Sequence, residues 1–243
     1  MAESDDDMPQ LSGDALAALK DFYSERDTRQ KLFEDLKSGA EADHDDRTEQ
    51  LSMAAFTEDW NASQFWYTEE TANALAVALL EDTDESDHIA FVSAPSAFLA
   101  AKRILAKNWK DKPKPHLALL EFDDRFAVFK EFVQYDFNAP LKLPTELKGT
   151  FSRIIVDPPF LSEECQTKAA LTVRYMAKSW TEGDIRVISC TGERMEALIH
   201  KLYAKVGIKT TSFEVKHQKG LSNEFRCYAN FEPTFWKFQD SIS

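Results

Sequence analysis

Short apolar runs of β type alternate with helical patterns from about residue 50 onward, and this alternation limits the folds open to the chain. It is typical of a parallel sheet covered by helices on both faces. The predicted strands are His88–Ser93, His116–Phe122, Phe132–Phe137, Phe151–Val156, Arg186–Cys190, Thr210–His217 and Phe225–Phe231. The predicted helices are Glu69–Leu80, Pro95–Asn108, Glu163–Trp180 and Glu193–Lys205. The pattern therefore predicts a doubly wound α/β fold of seven strands that ends in an antiparallel hairpin.

The first 49 residues differ from the rest of the chain in composition. Apolar residues recur there at helical spacing after Ser12, which predicts a helix running towards Ser38. Residues 39–49 are acidic and almost free of large apolar side chains, as expected of a solvated linker. We therefore expect an acidic extension over residues 1–49, with a helix and a linker, followed by one catalytic domain over residues 50–243.

The net charge of −13 is unevenly distributed along the chain. Residues 1–50 hold 15 acidic and 6 basic side chains (−9), which leaves 27 acidic and 23 basic ones (−4) for the remainder. Binding to nucleic acid depends on a basic excess that neutralises phosphates, and neither part of the chain has one. We therefore expect a basic protein partner and no nucleic-acid partner. We also expect the protein to be a monomer.

The sequence contains no apolar run of about 18 residues and no basic, then apolar, N-terminal segment. We therefore expect neither a membrane span nor a secretory signal. Cys165, Cys190 and Cys227 are odd in number and far apart, which fits neither a zinc site nor a disulfide framework. They are predicted to be core thiols in a reducing compartment, so we expect a cytoplasmic protein without a metal.

An apolar strand leads directly into Asp157-Pro158-Pro159-Phe160, so a carboxylate lies at the carboxyl end of a strand, where doubly wound folds bind ligands. This motif suits methyl transfer to an amine, because the Asp157 carboxylate and the Pro158 carbonyl can hold the amine hydrogens. The two prolines stiffen the loop. The aromatic face of Phe160 can line the acceptor site. The alternative is that the prolines simply end a strand and start a turn.

Candidate cofactor ligands follow three successive predicted strands. The chain has only seven glycines, and the first strand–helix turn reads Ala94-Pro95-Ser96, which argues against dinucleotide binding. Glu121, with Asp123, is predicted to bind ribose hydroxyls, and Asp136 the adenine amino group. The adjacent aromatic rings, Phe122 and Phe137, are predicted to sandwich the adenine. Each carboxylate alone is equally compatible with a loop or cap position.

Six segments resemble, in order and spacing, the eukaryotic elongation factor 1-alpha lysine methyltransferases, once catalogued as N6-adenine-specific DNA methyltransferase-like proteins. The similarity covers about residues 8–231, and its segments begin at Ser63, Val92, Glu121, Asp157, Cys190 and Asn223. The resemblance implies a class I methyltransferase fold, S-adenosylmethionine as donor, and a lysine of elongation factor 1-alpha as acceptor. It also implies that Gln64, Phe65, Trp66 and Tyr67 lie near the methionine end of the cofactor. The turn Ser93-Ala94-Pro95-Ser96 is implied to replace the glycine-rich turn of related enzymes.

One residue departs from the family, which more often has tyrosine where this chain has Phe160. The aromatic face is kept, but a phenolic hydroxyl is absent at that position. Adenine methyltransferases use an aromatic residue here to stack on a flipped base. Three functions therefore stay open from the residues themselves: lysine methylation, which we favour, N6-adenine methylation of DNA or RNA, and a binding module without activity.

Overall fold

The computed structural model describes residues 64–110, 112–220 and 224–239, together with Thr28, Lys31, Glu34, Met53 and Phe56. Within the predicted N-terminal helix, Thr28, Lys31 and Glu34 are helical and exposed. The rest of that helix, the acidic stretch 39–49 and the predicted boundary near residue 50 lie outside the described residues.

Seven strands form one sheet in the described part of the chain. Their bounds are β1 His88–Val92, β2 His116–Glu121, β3 Phe132–Gln134, β4 Arg153–Val156, β5 Arg186–Gly192, β6 Lys209–Glu214 and β7 Phe225–Ala229. The strand order is β3-β2-β1-β4-β5-β7-β6. β1 to β5 are parallel, whereas β7 lies antiparallel between β5 and β6. The predicted seven-stranded α/β sheet with a final antiparallel pair is confirmed.

Helices cover both faces of the sheet, as the alternating pattern predicts. Their bounds are α1 Glu69–Leu80, α2 Pro95–Asn108, α3 Glu163–Met176 and α4 Glu196–Leu202. α1 and α2 pack with β1 side chains such as Phe91 into one apolar cluster, and α3 and α4 pack with alternate side chains into a second one. Because successive strand residues point to opposite faces, the buried parallel strands supply both clusters.

Two predicted helices end or break earlier than the sequence indicates. The helix predicted over Glu163–Trp180 ends at Met176, whose carbonyl accepts the Thr150 and Phe151 N–H groups instead of continuing the helix. The helix predicted over Glu193–Lys205 is a 3₁₀ turn, the short helix α4 and a second 3₁₀ turn. In the described residues, no helix is long and apolar enough to cross a membrane. The three cysteines are buried free thiols, in agreement with the prediction.

Arg153, the first residue of β4, fixes the end of α1 to the sheet. Its guanidinium donates to the carbonyl oxygens of Leu79 (3.0 Å), Glu81 and Asp82 (2.9 Å), which lie at the C-terminus of α1. The side chain is buried and also lies 3.8 Å from the Asp87 carboxylate. Carbonyls at the end of a helix need such donors, and a cation there also interacts favourably with the helix dipole.

Candidate active site

The carboxyl ends of the parallel strands border a cavity of about 700 Å³. This volume lies in the range of roughly 300–1,000 Å³ that is usual for small-molecule sites. All but one of the sequence-predicted site residues line it: Gln64, Phe65, Trp66, Tyr67, Ser93, Ala94, Pro95, Ser96, Glu121, Phe122, Asp136, Phe137, Asp157, Pro158, Pro159 and Phe160. The sheet therefore brings together segments that are spread over almost 100 residues of the chain.

Asp123 is the exception, because its side chain does not line the cavity. It caps the 3₁₀ turn that follows β2, and its carboxylate forms an ion pair with Arg125 and accepts a hydrogen bond of 3.1 Å from the Gln64 amide. Although burial opposes it, the hydrogen bonds from Arg125 and Gln64 hold the Asp123 pKa below its usual value. Its acceptor oxygens are thus engaged within the protein.

Glu121 ends β2 as a buried carboxylate at the wall of the cavity. The side chain is 7% exposed, and Oε1 accepts hydrogen bonds from the N–H groups of Phe122 (2.8 Å) and Asp123 (3.3 Å). Burial raises the Glu121 pKa to about 7, despite these two hydrogen bonds. The neighbouring Phe122 is a large apolar side chain with 64% exposure. A carboxylate beside an open aromatic face is the kind of surface that binds a ribose and its base.

The turn between β1 and α2 is built without glycine. Ser93 nevertheless has φ +53°, in the left-handed region that L-residues with a side chain seldom adopt. Pro95 then begins α2, a position where its missing N–H costs no helical hydrogen bond. Strain of this kind, of order 1 kcal/mol or more, is often found at functional sites. The structure thus keeps a hydroxymethyl group at the cavity wall where related turns use glycine.

The Asp157-Pro158-Pro159-Phe160 loop is held from behind by a buried amide. Gln166 in α3 is 1% exposed, and its Nε2 donates to the Phe160 carbonyl (3.1 Å) and to the Thr191 hydroxyl (3.0 Å). The Phe160 ring packs edge-to-face on Phe137, with ring centroids 5.6 Å apart. A Cβ at Gly192 would lie 2.9 Å from the Leu161 side chain, so a larger residue there would push this loop. The loop is therefore fixed on the sheet by packing on both sides.

Asp157 lies at the centre of the site with one oxygen engaged. The Tyr67 hydroxyl donates a hydrogen bond to Asp157 Oδ2. Burial raises the Asp157 pKa to about 7, the Tyr67 hydrogen bond opposes this shift, and the Glu121 charge adds to it. Burial, and next the Asp157 charge, also raise the Tyr67 pKa well above its usual value, so Tyr67 stays a neutral donor. The site thus presents a carboxylate that can accept a hydrogen or a proton near neutral pH.

Several lining residues lie outside the predicted set. Tyr135, Asn138 and Leu161 adjoin predicted site residues. Segments distant in sequence supply Arg194, His217, Gly220 and Phe225. His217 packs between Tyr67 and Phe225, with centroid distances of 5.2 Å and 4.8 Å. No local motif contains His217, which the sequence predicts only as the last residue of a strand in the antiparallel pair. The motif beginning at Asn223 could have indicated Phe225.

The burial of Glu121 leads to a prediction for protein stability and for ligand binding when this residue is replaced. A carboxyl group whose pKa rises from 4.5 to about 7 on folding favours the fold below pH 4.5, and this contribution is lost as pH rises through 7. In the cofactor-free protein we therefore expect Glu121→Gln to raise the free energy of unfolding by about 1–3 kcal/mol at pH 8 and by much less at pH 5. The same change should weaken S-adenosylhomocysteine binding.

Urea denaturation at the two pH values and calorimetric titration test both effects. Glu146→Gln, a change in the exposed 3₁₀ turn before β4, is the matched control and should alter neither quantity. An equal stability change at pH 5 and pH 8 would show that the burial of charge is not the cause.

Solved structures with a similar fold support the architecture described above. A branched-chain polyamine synthase from Thermus thermophilus, solved with N4-aminopropylspermidine and 5'-methylthioadenosine, aligns over 71% of this chain and 58% of its own with a TM-score of 0.51 at 11% identity. Its C9 mutein aligns over 75% of this chain and 62% of its own, with a TM-score of 0.52 at 12% identity. These likenesses concern the fold alone. The seven-stranded sheet, with its strand order and the helices on both faces, has the class I S-adenosylmethionine-dependent methyltransferase fold.

Sequence comparison identifies the family. A family model described as "Probable N6-adenine methyltransferase" matches residues 58–233. The yeast protein-lysine N-methyltransferase EFM5 (Saccharomyces cerevisiae) is 44% identical over 94% of both chains. EEF1A lysine methyltransferase 1 is 38% identical in Gallus gallus, over 95% of this chain and 98% of its own, and 37% identical in Homo sapiens, over 94% of each. The chain belongs to this family of methyltransferases.

The methyl donor of this class, S-adenosylmethionine, is the cofactor of the protein, and the cavity suits it. Glu121 offers a carboxylate at the end of β2, the exposed Phe122 ring offers an apolar face, and the cavity has the volume for a nucleoside with an amino-acid chain. Among the side chains that the structure describes, no group of three or more His, Cys, Asp and Glu residues is arranged to hold a metal ion.

Proposed function

We propose that the protein transfers a methyl group from S-adenosylmethionine to the side-chain amine of a lysine in translation elongation factor 1-alpha. Relatives that carry this activity in their names align with nearly the whole chain. The observation in the site that supports an amine acceptor best is Asp157, a half-buried carboxylate at the cavity wall with one oxygen engaged by Tyr67. When bound, S-adenosylmethionine supplies an electrophilic methyl group, and its transfer leaves S-adenosylhomocysteine.

The residues of the chain then have separate roles. Asp157 and the Pro158 carbonyl hold the hydrogens of the acceptor amine, so that its lone pair is aimed at the methyl carbon. Glu121 holds the ribose, and the rings of Phe122 and Phe137 enclose the base. Phe160 lines the acceptor channel, where an aromatic face suits both the alkyl stem and a cationic head of lysine.

A lysine must lose a proton before it can attack. With an ordinary pKa near 10.4, this costs about 4–5 kcal/mol at neutral pH. Desolvation at the cavity lowers the cost, because burial disfavours the ammonium form. The Asp157 carboxylate, whose pKa of about 7 lies near the working pH, takes the proton and passes it to solvent.

N6-adenine methylation is the second candidate, because the description of the matching family model and the Asp-Pro-Pro-aromatic motif both point to it. The net charge of −13 opposes it, since binding to nucleic acid requires neutralised phosphates. Transfer of tritiated methyl groups to a cell extract, followed by protease or nuclease treatment, decides between the two. Label that protease releases and that maps to elongation factor 1-alpha supports the proposal; label that only nuclease releases overturns it.

The acidic extension over residues 1–49 is proposed to assist docking of a basic protein surface. Surface charge acts mainly on association rate and is screened by salt. We expect a truncated protein starting at Gln50 to bind S-adenosylhomocysteine as the full chain does, but to show a several-fold higher KM for the protein substrate at low salt. Steady-state kinetics over a salt series measures the difference, which should shrink as salt rises. Equal KM values at every salt concentration would contradict the docking role.

A further inference from the structure

Tyr67 is hydrogen-bonded directly to Asp157, the residue proposed to receive the acceptor amine. Its hydroxyl donates to Asp157 Oδ2, and the Cys190 thiol of β5 lies beside the same hydroxyl. We propose that Tyr67 is a positioning residue that holds the Asp157 carboxylate in place as the acceptor of the amine hydrogen and proton. This inference rests on the proposed function, because it concerns the group that receives a hydrogen from lysine.

The backbone around Tyr67 is fixed by residues 216–218, which are distant in sequence. The Thr68 N–H donates to the Lys216 carbonyl and the Gln218 N–H donates to the Trp66 carbonyl, both at 2.9 Å, which makes an antiparallel bridge between Tyr67 and His217. The Tyr67 side chain is only 2% exposed, and its ring packs on the His217 ring. A side chain fixed at its backbone and its ring places its hydroxyl with little conformational freedom, as an orienting residue requires.

The hydrogen bond from Tyr67 gives the two Asp157 oxygens different roles. Tyr67 engages Oδ2, whereas Oδ1 accepts no hydrogen bond from any of the described residues. Oδ1 is therefore the oxygen available to an amine. Because the hydroxyl donates to the ionised form, it also keeps Asp157 from becoming fully protonated in a buried site. Phe160 lacks a hydroxyl, so Tyr67 supplies a phenolic donor that the loop itself does not.

Other ionisable groups lie near Asp157, and their effects on its pKa have a defined direction. Glu121 at the end of β2 raises the Asp157 pKa through its charge, and the buried Cys190 thiol on β5 is a neutral neighbour, since hydrogen bonding to Cys227 and burial raise its pKa. Asp136, Arg194 and His217 line the same cavity. Of the groups that the structure describes, Tyr67 is the one that lowers the Asp157 pKa by hydrogen bonding.

Tyr67→Phe removes the hydroxyl and keeps the ring, and a pH profile separates positioning from simple structural support. If the Asp157 pKa rises by about one unit from its value near 7, the ionised fraction falls about five-fold at pH 7 and by little at pH 9. We therefore expect kcat/KM on the protein substrate to fall at least five-fold at pH 7 and to recover most of that factor by pH 9. A loss of equal size at both pH values, or no loss, would overturn the proposal.

The matched control is Tyr228→Phe. Tyr228 on β7 is fully buried, and its hydroxyl has no hydrogen-bond partner among the described residues. Removing that hydroxyl should leave kcat/KM unchanged at both pH values, because it touches neither the cavity nor Asp157. If the wild-type enzyme itself transfers no methyl group to lysine, the proposed function fails; if it does and only the Tyr67→Phe profile is wrong, this inference fails alone.

A direct titration gives a readout that does not depend on turnover. Carboxyl-carbon NMR of the cofactor-free full chain, labelled at aspartate, follows the Asp157 resonance, which is assigned by its loss in Asp157→Asn. We expect the titration midpoint to rise by about one unit in Tyr67→Phe and to fall when a fluorinated tyrosine, a stronger donor, occupies position 67. The same midpoint in all three proteins would show that Tyr67 does not act on Asp157.

Discussion

Asp157→Ala is expected to lower kcat for methyl transfer to elongation factor 1-alpha by about 10²-fold or more, the scale for loss of a positioned group in a transition state. The fold and cofactor affinity should change little, because Asp157 lies in the loop after β4 on the proposed acceptor side, whereas Glu121 at the end of β2 is the proposed ribose ligand. Single-turnover kinetics and calorimetric titration with S-adenosylhomocysteine measure the two quantities. Asp184→Asn, a change in an exposed loop, is the control and should leave both unchanged.

Asp157→Asn is the more discriminating change at the same position. Asparagine keeps the shape and one acceptor oxygen but removes the charge and the proton-accepting group. A neutral adenine amine needs only the acceptor, whereas a lysine ammonium also needs the proton to be removed. We expect a large loss on lysine at pH 7 that lessens as pH rises. Full activity of Asp157→Asn at pH 7 would leave Asp157 a hydrogen-bond acceptor with no role in proton transfer.

Arg153→Ala is expected to have the largest effect on stability, about 3–5 kcal/mol, because it removes a buried cation together with its hydrogen bonds. Three carbonyl oxygens at the C-terminus of α1 would lose this donor, and the Asp87 carboxylate would lose its partner. Urea denaturation with the full chain measures the change. Arg174→Ala, on the exposed face of α3, should change the free energy of unfolding by less than about 0.5 kcal/mol. Similar losses in both variants would contradict the role of Arg153.

Local sequence patterns predict the elements whose periodicity is strong. α1 and α2 have the predicted bounds, since each combines a helical pattern with a clear start: an acidic first turn after Thr68 in one, and Pro95 in the other. Strand ends are less accurate. β3 ends at Gln134 instead of Phe137, because Asp136 turns the chain by accepting a hydrogen bond of 2.8 Å from the Asn138 N–H.

The sequence predicts the cavity-lining residues that lie at the ends of strands. It does not predict the lining residues that distant segments supply. Asp157, Glu121 and Asp136 follow β-type runs, so the rule that ligands bind at the carboxyl ends of parallel strands was enough to place them. The contact between Tyr67 and His217 joins residues far apart in sequence, and no periodicity contains it. Asp123 appears equivalent to Glu121 in sequence, but Arg125 two residues later engages its carboxylate.

The bridge between Tyr67 and His217 has a consequence for the synthesis of the protein. The Lys216 N–H also donates to the Thr71 hydroxyl across 145 residues, so the N-terminal wall of the cavity is held by a part of the chain that a ribosome makes much later. Strands β1 to β5 are synthesised before their closing partner exists. A polypeptide that stops before residue 216 therefore has the Asp-Pro-Pro-Phe loop but lacks the segment that fixes Tyr67 against it, so we expect that the site can form only after residue 217 has been synthesised.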